Sequence, residues 1–253
     1  MGSMHENTQN VSGTQRNRLH DGFVIPIIPM RPTFLIASTL ILAASASHAT
    51  LSAWQTEVSS VGTTPASSLF SSIPGGSPII FNVGSLSGDR AFEFIVNSPT
   101  GGVSQALIGT QDPANGRQGL KFDQCCNTGV YGMTNFGVID YNSSTPTDFG
   151  RDVHIVFTSD GTTTDMYTDG VFRISYATGL FMTDNQGLGA ADNFGSFFDI
   201  MAGSILGFAS YDSTLSPAEI LQHNDAFTSV VPEPSGVLLS GLAALGMIAR
   251  RRR

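Results

Sequence analysis

The chain has 253 residues, of which 41% are hydrophobic and 13% charged, with 12 basic and 20 acidic side chains and a formal net charge of −8. Ordinary soluble domains carry roughly a quarter charged residues; disorder needs high charge with little apolar content and is excluded, and a polytopic membrane protein is excluded because no run of about 20 apolar residues occurs. The acidic balance, with no Lys/Arg cluster before the last four residues, argues against a nucleic-acid binder, whose affinity comes from phosphate neutralisation.

Met30-Arg31-Pro32 opens a three-part pattern. An apolar run of 12, Thr33 to Ala44, follows, and then the small residues Ser45-Ala46-Ser47-His48-Ala49. A basic start, a short apolar core and a small-x-small site make residues 30–49 a secretory signal peptide, with cleavage expected after Ala49 and Ala46 as second choice. A signal peptide rarely follows so long a polar preface, so residues 1–29 are read as an over-long gene start or a cloning remnant, outside the fold.

Residues 50–230 are expected to form one domain. Ile79 to Val83, Ala91 to Asn97, Gln105 to Gly109 and Gly119 to Asp123 read as short strands between Gly/Ser/Pro-rich turns. Asp160-Gly161 and Asp169-Gly170 are both hairpin signals, because a type I′ turn needs positive φ at two central positions. They predict a meander over Val153 to Ser159, Thr162 to Thr168 and Val171 to Tyr176, with Val153, Ile155 and Phe157 on one face and Phe172, Ile174 and Tyr176 on one face. Gly203 to Tyr211 reads as a last strand. Ser216 as N-cap, Pro217 in the first turn, Glu219 completing a capping box and a Leu215–Ile220 staple then predict a helix from Pro217 to about Phe227. Many short strands with little helix predict an all-β sandwich.

Chemistry-bearing groups are sparse. Between Thr50 and Val231 the glutamates are Glu57, Glu93 and Glu219, and no two stand at alternate positions of one strand, so no local acid/base pair for glycoside hydrolysis is visible and no catalytic residue is assigned. His154 is read as a framework residue, and Trp54 and Phe70 as core aromatics rather than an exposed sugar-stacking pair. Asp184 and Asp192, in a segment read as a loop over Asp184 to Asn193, are the candidates for a calcium ion, and no other cofactor is expected. The adjacent Cys125 and Cys126 leave three states open in an oxidising compartment: a strained vicinal bridge, intermolecular pairing or two thiols.

After Val231, the triplet Pro232-Glu233-Pro234 precedes an apolar segment at 236–249 and the arginine cluster 250–253. Fourteen helical residues rise about 21 Å against roughly 30 Å of hydrocarbon, a marginal span with the arginines on the cytoplasmic side. This order of triplet, apolar segment and arginines resembles the PEP-CTERM sorting signal of bacterial exported proteins. The resemblance implies that an exosortase, a membrane transpeptidase-like enzyme, reads Pro232, Glu233 and Pro234 in the tail 231–253. Separately, the string VHIVFTSDGTTTDMYTDGVFRIS, the strand Ile205 to Tyr211 and the LSPAEI helix start resemble the C-terminal half of a concanavalin A-like, laminin-G-type jelly roll. That resemblance implies a module binding carbohydrate or protein, often with calcium at its rim, and in some relatives a glycosidase.

Together these imply an exported cell-surface or extracellular-matrix protein. A non-catalytic β-sandwich with one short C-terminal helix would lie between a removed signal peptide and a short hydrophobic tail helix. Its partners would be the export machinery, an exosortase-type enzyme and extracellular polysaccharide, with no nucleic acid. The alternatives are a polysaccharide-degrading glycosidase of the same fold and a structural matrix protein.

Overall fold

The computed structural model describes residues 51–85, 88–101, 104–125 and 129–229. The expected signal peptide, Ala49, Cys126 and the tail with Pro232, Glu233 and Pro234 therefore lie outside the described residues. Among the described residues no helix is long and apolar enough to cross a membrane.

Two antiparallel six-stranded sheets face each other. The first, sheet A, runs β1 (Ser67–Leu69), β14 (Ser204–Tyr211), β3 (Arg90–Asn97), β8 (Asp152–Ser159), β9 (Thr164–Thr168), β10 (Val171–Tyr176). The second, sheet B, runs β2 (Ile79–Asn82), β11 (Asn185–Leu188), β4 (Gln105–Gly109), β5 (Gln118–Asp123), β6 (Val130–Asn135), β7 (Ile139–Pro146). A small hairpin, β12 (Ala191–Asn193) and β13 (Ser196–Phe198), lies against β4. The sandwich is flanked by helix α1 (residues 51–60) and helix α2 (Pro217–Thr228).

Alternation along the strands divides the interior. On β3, Phe92, Phe94 and Val96 face sheet B and join Val153, Ile155, Phe157, Phe208, Leu120 and Met133 in the main core. Ala91, Glu93 and Ile95 point the other way, beneath α1 and α2, with Trp54, Val58, Tyr211, Leu215, Ile220 and Phe227. That second layer exists because Leu51, Trp54 and Val58 recur at helical spacing on α1. The hydroxyls of Thr56, Ser59 and Ser60 each donate to the carbonyl four residues back, so these polar side chains are accommodated within a helix. The α2 start is capped as its sequence demands: Ser216 Oγ accepts from the Glu219 N–H, and Glu219 reaches back to the Ser216 N–H.

Three local expectations are corrected. Asp169-Gly170 is a two-residue turn with φ of 50° and 74°, as expected. Asp160-Gly161 belongs instead to a four-residue loop in which the Asp160 carboxylate accepts from the Thr162 and Thr163 N–H groups, and β9 starts at Thr164. The carboxylate offers the backbone an alternative to the tight turn. On β10 a bulge between Phe172 and Ile174 breaks the shared face: Ile174 and Tyr176 face the main core, while Phe172 packs on Tyr167 at 5.6 Å and stays half exposed. Finally, the segment read as a loop over Asp184 to Asn193 contains the strands β11 and β12. Strands β1, β6, β7 and β13 are additions to the predicted set.

Candidate functional site

Two polar assemblies stand out, one enclosed and one open. The enclosed one centres on Glu93, fully buried on β3. Its Oε1 accepts from Trp54 Nε1 at 2.7 Å and from His154 Nε2 at 2.7 Å, and its Oε2 accepts from the Tyr211 hydroxyl at 2.6 Å and from His223 Nδ1 at 3.1 Å. Four donors from α1, β8, β14 and α2 thus converge on one carboxylate. Burial alone would raise the Glu93 pKa, but the hydrogen bonds and charges of His154 and His223 outweigh it and hold the carboxyl well below the usual range. Burial pulls His223 down, and its bond to Glu93, with Glu57 and Glu219 nearby, carries it above the ordinary imidazole value. Tyr211 is pushed up by burial and by the adjacent carboxylate. The other ring nitrogen of His154, Nδ1, is buried and meets no hydrogen-bond partner.

A carboxylate so enclosed holds helices to a sheet; it has no route to a substrate. The framework reading of His154 and the core reading of Trp54 agree with this geometry, and Trp54 also meets Phe70 edge-on at 5.8 Å. Glu57 accepts from Gln222, and Glu219 is held at about 2, since bonds from Ser216 and Thr63 outweigh its burial. The three glutamates are therefore used between α1, α2 and sheet A. The convergence was invisible in sequence because its members are separated by 39 to 130 positions.

The open assembly lies on sheet B, where no helix among the described residues covers the outer face. Phe136 folds across β4 and β5, and the glycine at 119 is what allows it: a Cβ there would stand 2.9 Å from the ring. Lys121, 1% exposed, pairs with Asp199 and holds its ammonium 5.2 Å from the Phe136 ring and 6.0 Å from Phe198. Phe136 and Phe198 meet edge-on at 5.3 Å. These contacts pin the β12–β13 hairpin to the sheet. At its tip Phe194 has φ 52° and is 72% exposed, while the next residue, Gly195, donates its N–H to Asp192 Oδ1. A bulky residue in the left-handed region costs about 1 kcal/mol or more, and such strain concentrates at functional positions.

Around this tip lie the β4–β5 loop and the β6–β7 turn. Arg117, in the loop, also has positive φ (49°), and its guanidinium lies against Gly137 of the turn. Among the described residues it has no carboxylate partner, whereas Lys121 and Arg151 are paired. Thr134, Asn135, Gly137, Val138, Ile139 and Asp140 line a cleft of about 330 Å³ beside it, with Val138 76% exposed. This rim combines an unpaired cation, exposed apolar faces and amide, hydroxyl and carboxylate groups held in place. Gln118, for example, donates to Asn135 and accepts from the Phe181 N–H.

The calcium candidates do not share a site. Asp184 accepts from Ser85 and Thr183, and Asp192 serves the Phe194 turn. Asp192 lies beside Gly187, three residues from Asp184, about 10 Å along the strand. A calcium ion takes six to eight oxygens at 2.3–2.6 Å, so this pair does not fit a common ion. Among the described residues no group of three or more His, Cys, Asp or Glu is placed to hold a metal. Cys125 follows β5, with its N–H donating to Gln124.

Residues 230–253 match the PEP-CTERM protein-sorting motif. The tail of this chain carries that motif. No curated protein matches the chain. Among solved structures, CBM40 of the Ruminococcus gnavus IT-sialidase bound to alpha2,3 sialyllactose is similar at 16% identity and TM-score 0.49, covering 62% of this chain and 98% of that one. NanB sialidase from Streptococcus pneumoniae is similar at 18% identity and TM-score 0.49, over 62% of this chain and 28% of that one. The leech intramolecular trans-sialidase complexed with 2,7-anhydro-Neu5Ac is similar at 15% identity and TM-score 0.50, over 67% of this chain and 29% of that one. At such identities the likeness concerns the fold alone, and the expected all-β sandwich of two packed sheets is the architecture found.

Proposed function

We propose that the chain is an exported, surface-sorted protein whose sandwich binds carbohydrate without cleaving it. The leader at 30–49 would be removed after Ala49, and an exosortase-type enzyme would read Pro232, Glu233 and Pro234. The single observation carrying the binding reading is the rim of sheet B, where the strained, exposed Phe194 stands at the same end as the unpaired Arg117 and the Thr134–Asp140 cleft. Sugars present apolar C–H faces and hydroxyl edges, which aromatic side chains and fixed polar groups complement. The non-catalytic reading is supported by the enclosure of Glu93, whose two oxygens are already engaged by four donors. The sorting motif and the CBM40 domain bound to sialyllactose are consistent with the reading.

A glycan array with the processed protein, with and without calcium, tests it. Binding weakened at least tenfold by Phe194→Ala, with an unchanged unfolding curve, is expected. An array without signal in both conditions would remove the carbohydrate reading, and hydrolysis of a matrix polysaccharide abolished by one carboxylate substitution would replace binding with catalysis.

A further inference from the structure

Helices α1 and α2 run antiparallel. Glu57 of α1 meets Gln222 of α2, while Thr63, just past the end of α1, meets Glu219 at the start of α2. Residue 51 and Thr228 therefore fall at the same end of the domain, and the Glu93 carboxylate ties both helices to sheet A. Helix α2 starts where β14 ends at Tyr211, beside Ala91, and runs back along the sheet. Its last turn thus lies toward the opposite end of these strands, that of Asn97, Asp152 and Ser204. A cleft of about 470 Å³ opens there, lined by Asn97, Pro99, Asp152, Ser204 and Leu206.

The rim is at the far end. Gln105 at the start of β4 accepts from the Ala202 N–H, beside that cleft, and β4 runs away from it toward the β4–β5 loop. Arg117, Val138 and Phe194 thus stand beyond the far end of β4, whose five residues span about 17 Å. Pro232 is only three residues beyond Ser229, a reach of about 11 Å at full extension, and the apolar segment begins seven residues beyond it, at most about 25 Å. An enzyme embedded in the membrane cannot engage Pro232–Pro234 over that distance without meeting the folded domain at this end.

We propose that the Asn97–Asp152–Ser204 end is the docking surface for the membrane-embedded sorting enzyme, and that the α1–α2 pair fixes the domain so that the Arg117–Phe194 rim faces outward. This rests on the tail being a processed sorting signal. The test uses the full-length protein in its own cell envelope, with a photo-crosslinking residue placed at Pro99 or at Val138. The expected result is a crosslink from Pro99, identified by mass spectrometry as the sorting enzyme, at least fivefold above that from Val138. Ser204→Arg should slow tail removal several-fold with an unchanged melting curve, while Val138→Arg should leave the rate as it is. Inserting ten Gly/Ser residues after Ser229 should lower the Pro99 crosslink while tail removal continues. Equal crosslinking from both positions, or intact tail removal with no crosslink from Pro99, would overturn the docking surface. Tail removal that survives replacement of Pro232, Glu233 and Pro234 by Ala would overturn the sorting reading instead.

Discussion

Replacing Glu93 should do more damage than replacing any other single polar residue of the domain. Glu93→Ala strips the acceptor from four buried donors, those of Trp54, His154, Tyr211 and His223. Each buried group left unsatisfied costs about 1–3 kcal/mol. Water entering the vacated space satisfies some of them, so a loss of about 4 kcal/mol is expected, a large part of the roughly 5–15 kcal/mol that holds a domain folded. Glu93→Gln keeps an oxygen for Trp54 and His154 and turns an amide toward the Tyr211 oxygen, which has lone pairs, and toward His223 Nδ1, which accepts once the imidazole is neutral with its proton on Nε2. Only the charge-assisted strength is lost, about 1–2 kcal/mol. The pH dependence separates the two contributions. Glu93, with a lowered folded pKa, stabilises fully above the ordinary carboxylate value of about 4.3 and loses that contribution as pH falls through its lowered value. His223, with a raised folded pKa, stabilises fully below about 6.5 and loses its contribution as pH rises through the raised value. Stability should be greatest between these limits. Urea unfolding of the processed protein at about pH 3, pH 5.5 and pH 8.5, followed through Trp54, the only tryptophan, reads both effects. A loss below about 1 kcal/mol in Glu93→Ala, or an undiminished alkaline decline in Glu93→Gln, would refute the reasoning.

Phe194→Asn should raise stability by about 1 kcal/mol, a Tm gain of about 2–4 °C by calorimetry, because Asn tolerates the left-handed region, while glycan binding falls. Gly207→Ala would place a Cβ 2.4 Å from the Trp54 ring and push the indole off Glu93, costing about 1–3 kcal/mol and shifting Trp54 emission to the red. Ser216→Ala removes the α2 cap and should cost about 1 kcal/mol by urea unfolding. Lys121→Met leaves Asp199 without its partner and should loosen the β12–β13 hairpin, seen as faster proteolytic cleavage at Phe194.

Legibility followed the range of the interactions. The β8–β9–β10 meander, the last strand and the α2 start are encoded within windows of about ten residues, by alternation, Asp-Gly signals and a capping box, and these elements form in the expected order, with β9 starting at Thr164 instead of Thr162. Errors arose where one side chain or one residue of register decided the outcome. The Asp160 carboxylate captured two backbone N–H groups and widened a turn, and one bulge after Phe172 moved that ring from the core face to the outer face. Helix α1 was obscured because its hydroxyl side chains disguise a Leu51–Trp54–Val58 stripe that has meaning only once sheet A offers a surface.

The Glu93 junction and the rim depend on topology. Glu93 looked solitary because its partners come from four other elements, and Arg117, Val138 and Phe194 share one end only because β4 and β6 run away from the α2 terminus. The arrangement separates tasks along the sandwich. Residue 51 and Thr228 lie toward one end, tied to sheet A by a buried carboxylate, and Arg117 and Phe194 stand at the other. A substitution at Glu93 should therefore change stability and the positioning of the tail together, whereas one at Phe194 should change binding and leave tail removal untouched. Measuring both readouts on both variants distinguishes two independent ends from a single cooperative unit.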